Sequence, residues 1–530
     1  NQENFGKIPG SPIAYWASQN LIEDFENKAL YEWTISDGQN KTGNNKKFVR
    51  FGWEVSNEKI GIDKKWFFYA KGGGYRKWWG NITSVINWSP ETRVFYKKDK
   101  IARIIPKYLW YKEGITWGLI TSKFPSFRIL PADSTFDVGG SSIFFKDDEL
   151  IEYVLALLNS KVYLEVAQIM NPTLNFQVKD IRTMPLIIEN EKKINDLSSN
   201  SIKISQQDWD AFETSWDFKH SPLLTTNAST LQQAYNNWSQ EALDRFNQLK
   251  SNEEELNKIF IDLYGLQDEL TPEEDDKEVS VRKADQVRDI KAFLSYFIGC
   301  VLGRYSLDKN GLAYAGGNWN DSNYQTFIPN KDNIISLTDR RYFEDSRDII
   351  IRLKEFLSKT FDPDHLSDNM NFIAQTLDQK KFDKGTSAEQ IIRDYFLNDF
   401  YKDHSKIYQK RPIYWEFSSG RNKGFKALMY LHRYTPEQLA MVRHYLHDLQ
   451  PAMNDLINVD QNLLDQETTA SAKSKYRKTI STLNKQMAEM VKYDQILDHL
   501  SQNPVDLDLD DGVLVNHDKL QQGEKLLSKL

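Results

Sequence analysis

The chain has 530 residues, 40% apolar and 27% charged, with a formal net charge of −7. That length suits three or four domains with an ordinary soluble balance of residues. Its single cysteine, Cys300, excludes an intrachain disulfide and a cysteine-built zinc site and fits a reducing, cytoplasmic setting, and no apolar run reaches the roughly 18 residues of a membrane span.

In chain order, residues 1–12 carry neither a basic nor an apolar signal region. With no Met at position 1, the expectation is a piece of a longer protein. From Phe48 to Phe145 short β-branched and aromatic runs are broken by turn residues, which predicts strands at 65–70, 93–96, 101–105, 114–121, 136–138 and 142–145. Ile151, Val154, Leu155, Leu158, Val162 and Val166 recur at helical spacing and predict one helix over 148–170, stopped at Asn171-Pro172. The polar stretch 189–201 reads as a linker. Helices follow over 239–264 and, ending near Gly303, from about Val287. Thr271-Pro272-Glu273-Glu274 has the spacing of a capping box, and its acidic run reads equally as a solvated loop.

Residues 304–343 are Gly- and Asn-rich with little periodicity. A helix is expected over 345–357, and Ser387-Ala388-Glu389-Gln390 opens another. Residues 411–430 resemble a turn-linked strand pair. Thr435-Pro436-Glu437-Gln438 caps a helix to about Leu449, and a long helix covers about 466–500. Its stripe of Tyr476, Ile480, Leu483, Met487, Met490 and Leu497 suits a partner helix. Alternation from Val505 to Val515 around Asp510-Asp511-Gly512 predicts a hairpin. The expected class is α+β: a mixed or antiparallel β-rich domain followed by mainly helical domains. The expected divisions are a connector at 1–30, the β-rich domain at 31–190, a linker and helical segment at 191–303, a mixed region at 304–430 and a helical region with a terminal hairpin at 431–530.

Charge is uneven. Residues 41–112 hold 17 Lys/Arg against 5 Asp/Glu, a balance of +12, and the remainder holds 51 against 70, a balance of −19. The same stretch contains 16 aromatic residues. A basic segment interleaved with aromatics in an acidic protein is the footprint of a polyanion-binding surface, with a solvated basic face as the bland alternative. The residues named for DNA contact are Lys46, Lys47, Arg50, Lys71, Arg76, Lys77, Arg93, Lys97, Lys98 and Lys100. Arg76 is singled out for a guanine or phosphate contact, because the glycine turn 72–74 would let the main chain come close. Trp78 and Trp79 read as core or wedge before base-stackers.

Catalytic and metal motifs fail on inspection. Gly72-Gly73-Gly74 precedes Tyr75-Arg76-Lys77 and is no phosphate loop. Neither Asn171-Pro172-Thr173-Leu174 nor Asn503-Pro504-Val505 supplies the second proline and aromatic of an amino-methyltransferase tetrapeptide. Asp506 to Asp510 mimics the start of an EF-hand loop, but Asp511 stands where glycine is needed and His517 where the bidentate Glu is needed. His444 and His447 lack a third ligand. Asp180 with Glu191 and Lys193 imitates a nuclease set only loosely. Cys300 sits on an apolar helical face and reads as an inert buried thiol. No catalytic, cofactor-binding or metal residue is therefore expected in this chain.

Several ordered stretches carry a resemblance. They include Ile8-Pro9-Gly10-Ser11-Pro12-Ile13-Ala14-Tyr15-Trp16, Gly72-Gly73-Gly74-Tyr75-Arg76-Lys77-Trp78-Trp79-Gly80-Asn81, Phe136-Asp137-Val138-Gly139-Gly140, Asn171-Pro172-Thr173-Leu174-Asn175-Phe176, Gly303-Arg304-Tyr305-Ser306, Lys410-Arg411-Pro412-Ile413-Tyr414-Trp415 and Asp508-Leu509-Asp510-Asp511-Gly512. Together they resemble the C-terminal part of the large adenine-specific DNA methyltransferases of BREX phage-defence systems, the PglX family. That family is similar to the TaqI-like methyltransferases, in which a cofactor-binding domain precedes a target-recognition domain. The resemblance implies the DNA-recognition half of an enzyme that transfers a methyl group from S-adenosylmethionine to adenine N6. The catalytic core would lie outside this chain, and the chain alone would be inactive. Implied partners are double-stranded DNA, an upstream methyltransferase domain in cis, other BREX proteins and a DNA-mimicking phage inhibitor. Two alternatives stand beside this: a scaffold docking other defence components, and the recognition half of a fused restriction-methylation enzyme.

Overall fold

Short aromatic-rich strands and long amphipathic helices divide the chain into two units, and the class is α+β. The computed structural model describes residues 19–120, 125–170, 175–225 and 227–530. The matches at Ile8–Trp16 and Asn171–Leu174 lie outside the described residues. The first unit holds 19–52, 59–216 and 239–284, and the second holds 53–58, 217–238 and 285–530.

Among the described residues the first unit has eight strands: β1 (Thr34–Ile35), β2 (Val49–Phe51), β3 (Trp66–Ala70), β4 (Ser84–Asn87), β5 (Gly114–Trp117), β6 (Phe127–Leu130), β7 (Ser134–Phe136) and β8 (Ser142–Phe145). They form two four-stranded sheets, ordered β2-β4-β3-β7 and β1-β8-β5-β6. The first sheet is mixed, since β3 runs parallel to β7, and the second is antiparallel. Its helices are α1 (Gln19–Asp24), α2 (Asn45–Phe48), α3 (Pro90–Lys98), α4 (Ile151–Leu158), α5 (Lys161–Met170), α6 (Val178–Arg182), α7 (Glu191–Asp210) and, from Ser239 on, α8 (Leu231–Leu263). The main core joins the second sheet to α4, α5, α7 and α8. A smaller core on the first sheet is made by Phe48, Phe67, Tyr69, Ile86, Trp88, Tyr96 and Ala102.

Several expectations fail in this unit, for separate reasons. Residues 93–96 belong to helix α3, because Ser89 caps its N-terminus by accepting from Thr92 N and Pro90 stands in its first turn. That start overrides the strand preference of Val94, Phe95 and Tyr96. Residues 101–105 make only an isolated bridge, Lys41 to Arg103. The stretch taken as a linker lies largely in α7. Its buried residues, Ile194, Ser198, Ser201, Ile204, Ser205 and Asp208, have helical spacing, but only two of them are apolar, which leaves a weak hydropathy signal. The helix expected over 148–170 is interrupted at Asn159-Ser160 between α4 and α5. No helix follows Thr271.

The second unit is mainly helical: α9 (Gln286–Leu302), α10 (Ile349–Thr360), α11 (Leu366–Asp383), α12 (Ala388–Asn398), α13 (Phe400–Ile407), α14 (Gln438–Gln466), α15 (Ala470–Gln502) and α16 (Gly512–Gln521). A three-stranded antiparallel sheet has the order β10-β11-β9, with β9 (Ile335–Ser336), β10 (Tyr414–Ser418) and β11 (Lys426–Tyr430). α9 ends where Gly303 adopts φ 81°. Leu483, Met490 and Leu497 of α15 join Leu446, Leu449 and Met453 of α14 in one core. The expected terminal hairpin is instead a short 3-10 turn, Leu509–Asp511, and α16. Val513, Asn516, His517 and Leu520 are buried at helical spacing, and Asn516 Nδ2 donates to Asp508 O at 2.6 Å. No described helix is long and apolar enough to cross a membrane.

Candidate nucleic-acid interface

The small core on the first sheet gathers two separate basic stretches, 41–50 and 93–103. α2 begins at an Asn44 cap whose side chain accepts from Lys47 N, and it presents Lys46 and Lys47 to solvent. Phe48, buried, lies 5.1 Å from Phe95 and 5.4 Å from Tyr96, which fixes α2 against α3. α3 ends with exposed Lys97 and Lys98. Asp99 then accepts from Ile101 N and Ala102 N at 2.8 Å each. Those backbone hydrogen bonds hold its carboxyl below the usual range, so it stays charged but occupied. The chain continues through exposed Lys100 to Arg103, whose backbone pairs with that of Lys41 at 2.7 and 2.9 Å.

Lys41, Lys46, Lys47, Lys97, Lys98, Lys100 and Arg103 therefore share one lobe. All seven are exposed, and none is in an ion pair among the described residues. Arg50 and Arg93 sit at the same core, half-buried. Arg50 donates to Lys46 O and lies over Trp66, and Arg93 lies 4.9 Å from the Trp110 ring. Phe95 and Ile101, 39% and 57% exposed, stand among these cations. Such a surface can hold polyanion phosphates without first breaking internal pairs.

The remaining sequence-named cations have other positions. Lys71 is paired with Asp137 at 2.6 Å. Arg76 is only 4% exposed. Its Nη1 donates to Asp208 at 2.7 Å, its Nη2 to Ser205 O at 2.6 Å and its Nε to Trp79 O at 2.8 Å. The guanidinium fastens the turn to α7, the helix that sequence reading took for a linker. Lys77, 5% exposed, pairs with Glu253 at 3.2 Å and lies 3.8 Å from Glu274. Burial opposes its charge, but Glu253, Tyr75 and Glu274 outweigh burial and hold it above the ordinary lysine range. Trp78 is buried and donates from Nε1 to Glu253 at 2.6 Å. Arg76 and Lys77 are thus structural, and the sequence reading of them as DNA contacts is corrected. A desolvated, paired cation has nothing to offer a phosphate.

The glycine turn is also explained internally. A Cβ on Gly72 would lie 2.5 Å from Gly139 O, and one on Gly140 would lie 2.4 Å from Ala70 O. Two turns pack on each other there, and this packing is what requires glycine. The loop leads directly into no helix. The aromatics of the basic stretch go mostly into the core, as in the Phe67–Trp88 stack and the Trp88–Trp110 contact. Lys41 and Arg103 were not singled out from sequence, because nothing local shows that they pair.

No family model matches the sequence. The chain is 47% identical, over its full length, to the adenine-specific methyltransferase PglX of Lacticaseibacillus casei (strain Zhang). It is 35% identical, over 98% of its length, to the adenine-specific methyltransferase BrxX of Escherichia coli O9:H4 (strain HS). Over its full length the chain is thus similar to part of the PglX and BrxX adenine-specific methyltransferases. It spans about half the length of these curated relatives, 46% and 45% respectively.

Proposed function

We propose that this chain is the DNA-recognition part of an S-adenosylmethionine-dependent adenine-N6 methyltransferase of a BREX system, with the lobe of Lys46, Lys47, Lys97, Lys98 and Lys100 as its phosphate-contacting face. One observation carries the reading: seven exposed cations from two chain stretches, none ion-paired among the described residues, share a single small core. Kinship with proteins named adenine-specific methyltransferases supports DNA as the polyanion. Arg50 and Arg93, stacked on indoles, are the held donors suited to fixing register. S-adenosylmethionine and the chemical step belong to the rest of such an enzyme, with duplex DNA and a methyltransferase domain in cis as partners.

The test is duplex binding by fluorescence anisotropy across a salt series, for the wild type and for Lys46→Ala/Lys47→Ala/Lys97→Ala/Lys98→Ala. A steep salt dependence that flattens in the variant is expected, since each lost phosphate contact removes about 0.9 from the log–log slope. Equal slopes would remove the lobe from the interface.

A further inference from the structure

The second unit carries a basic surface of its own. From Thr468 to Ala488 the sequence has five cations, Lys473, Lys475, Arg477, Lys478 and Lys485, and no carboxylate. The neighbouring stretch of α14, from Asn454 to Glu467, has Asp455, Asp460, Asp465 and Glu467 and no cation. Lys475, Arg477, Lys478 and Lys485 are exposed, and none is within ion-pair distance of a carboxylate among the described residues. The arrangement opposes the helix dipoles: α14 ends in acids with no base in its last turn, and α15 starts with no acid in its first turn. The helix dipoles therefore do not account for the placement of these charges.

Ser474, Lys478, Ser481 and Lys485 follow i, i+4, i+7 and i+11 and line one stripe, with Arg477 beside it. The first buried side chain of α15 is Leu483, so the preceding turns stand clear of the core. Val459 and Leu463 on α14 are likewise 52% and 41% exposed. A groove of about 500 Å³ is lined by Leu464, Ile480, Ser481 and Asn484 together with Arg477 and Lys485.

We propose that this α15 stripe is a second DNA-backbone contact surface, separate from the lobe of the first unit. From Lys473 to Lys485 it covers about 18 Å, or roughly five base pairs. Hydroxyls alternating with cations suit phosphate oxygens. The four stripe positions are Ser or Lys, and the large apolar residues Leu464 and Ile480 line the adjoining groove. The proposal rests on the reading that this chain binds DNA, and the test separates the two.

The full chain carrying Lys475→Gln/Arg477→Gln/Lys478→Gln/Lys485→Gln is titrated with duplex DNA from ~50 to ~200 mM salt. Affinity about 10-fold weaker near 100 mM and a slope flatter by about 2–3 are expected, with an unchanged melting temperature. As a second measurement, Ser481→Cys bearing a photo-crosslinker captures the duplex; Cys300 is buried and stays unlabelled. Wild-type slope and affinity without crosslinking would overturn the proposal, and if the lobe variant still lost affinity, the first reading would stand. Unchanged DNA binding with lost binding of polyglutamate would overturn it in favour of an acidic protein partner. If the wild type itself binds no duplex, both readings fall.

Discussion

Cations of the same basic stretch meet opposite fates. Arg76 and Lys77, after the glycine turn, are buried and each held by a carboxylate. Lys46, Lys47, Lys97 and Lys98 are exposed and have none. In sequence the two groups look alike. The difference is what lies opposite: Asp208 on α7 and Glu253 on α8 face the turn, whereas α2 and α3 face solvent above an aromatic core. Local charge density is therefore not itself a binding surface. It becomes one where the fold leaves the charges unpaired.

Substitutions can break this comparison. The largest effect is expected from Arg76→Ala, which removes the 2.7 Å partner of buried Asp208, leaving it the Arg282 guanidinium at 3.8 Å, and frees Ser205 O and Trp79 O. Urea unfolding should show a loss of about 3 kcal/mol or more. A loss below about 0.5 kcal/mol, with DNA affinity reduced, would reverse the assignment of Arg76. Next comes the quadruple lobe variant, for which duplex affinity at low salt should fall about 100-fold, or about 2.7 kcal/mol, with unfolding unchanged.

A pH effect sharpens the buried side. Burial, opposed by Lys77 and reinforced by Glu253, raises the Glu274 carboxyl to about 7. An acid raised on folding contributes stability below its unfolded pKa, and that stability is lost as pH rises through about 7. Between pH 5 and 8 the first unit should lose on the order of 2 kcal/mol from this group, and Glu274→Gln should flatten the dependence. An unchanged pH profile in that variant would show that Glu274 is not the titrating group. The smallest effect is for Lys97→Ala alone, with stability within about 0.5 kcal/mol of wild type by thermal melting.

Much of the second unit was legible because its signals are local. Ser387 caps α12 by accepting from Gln390 N, Gly303 ends α9, and the β10–β11 pairing joins Tyr414 to Tyr430. The first unit was harder to read. In α7 the buried stripe is half serine, with only Ile194 and Ile204 apolar, and α3 depends on a Ser-Pro start that outweighs three strand-favouring residues. The alternation at 505–515 counted apolar residues but missed that Asn516 and His517 are buried too. For the interface, the basic stretch and most of its exposed lysines were visible. The burial of Arg76 and Lys77 was not, because their partners lie 132 and 176 residues away.

The most direct test of this account is lysine footprinting by reductive methylation and mass spectrometry, with and without duplex DNA. Lys46, Lys47, Lys97, Lys98 and Lys100 should be reactive in the free chain and protected by DNA, while Lys77 stays unreactive in both. A reactive Lys77 that DNA protects, or lobe lysines that DNA leaves unprotected, would contradict it.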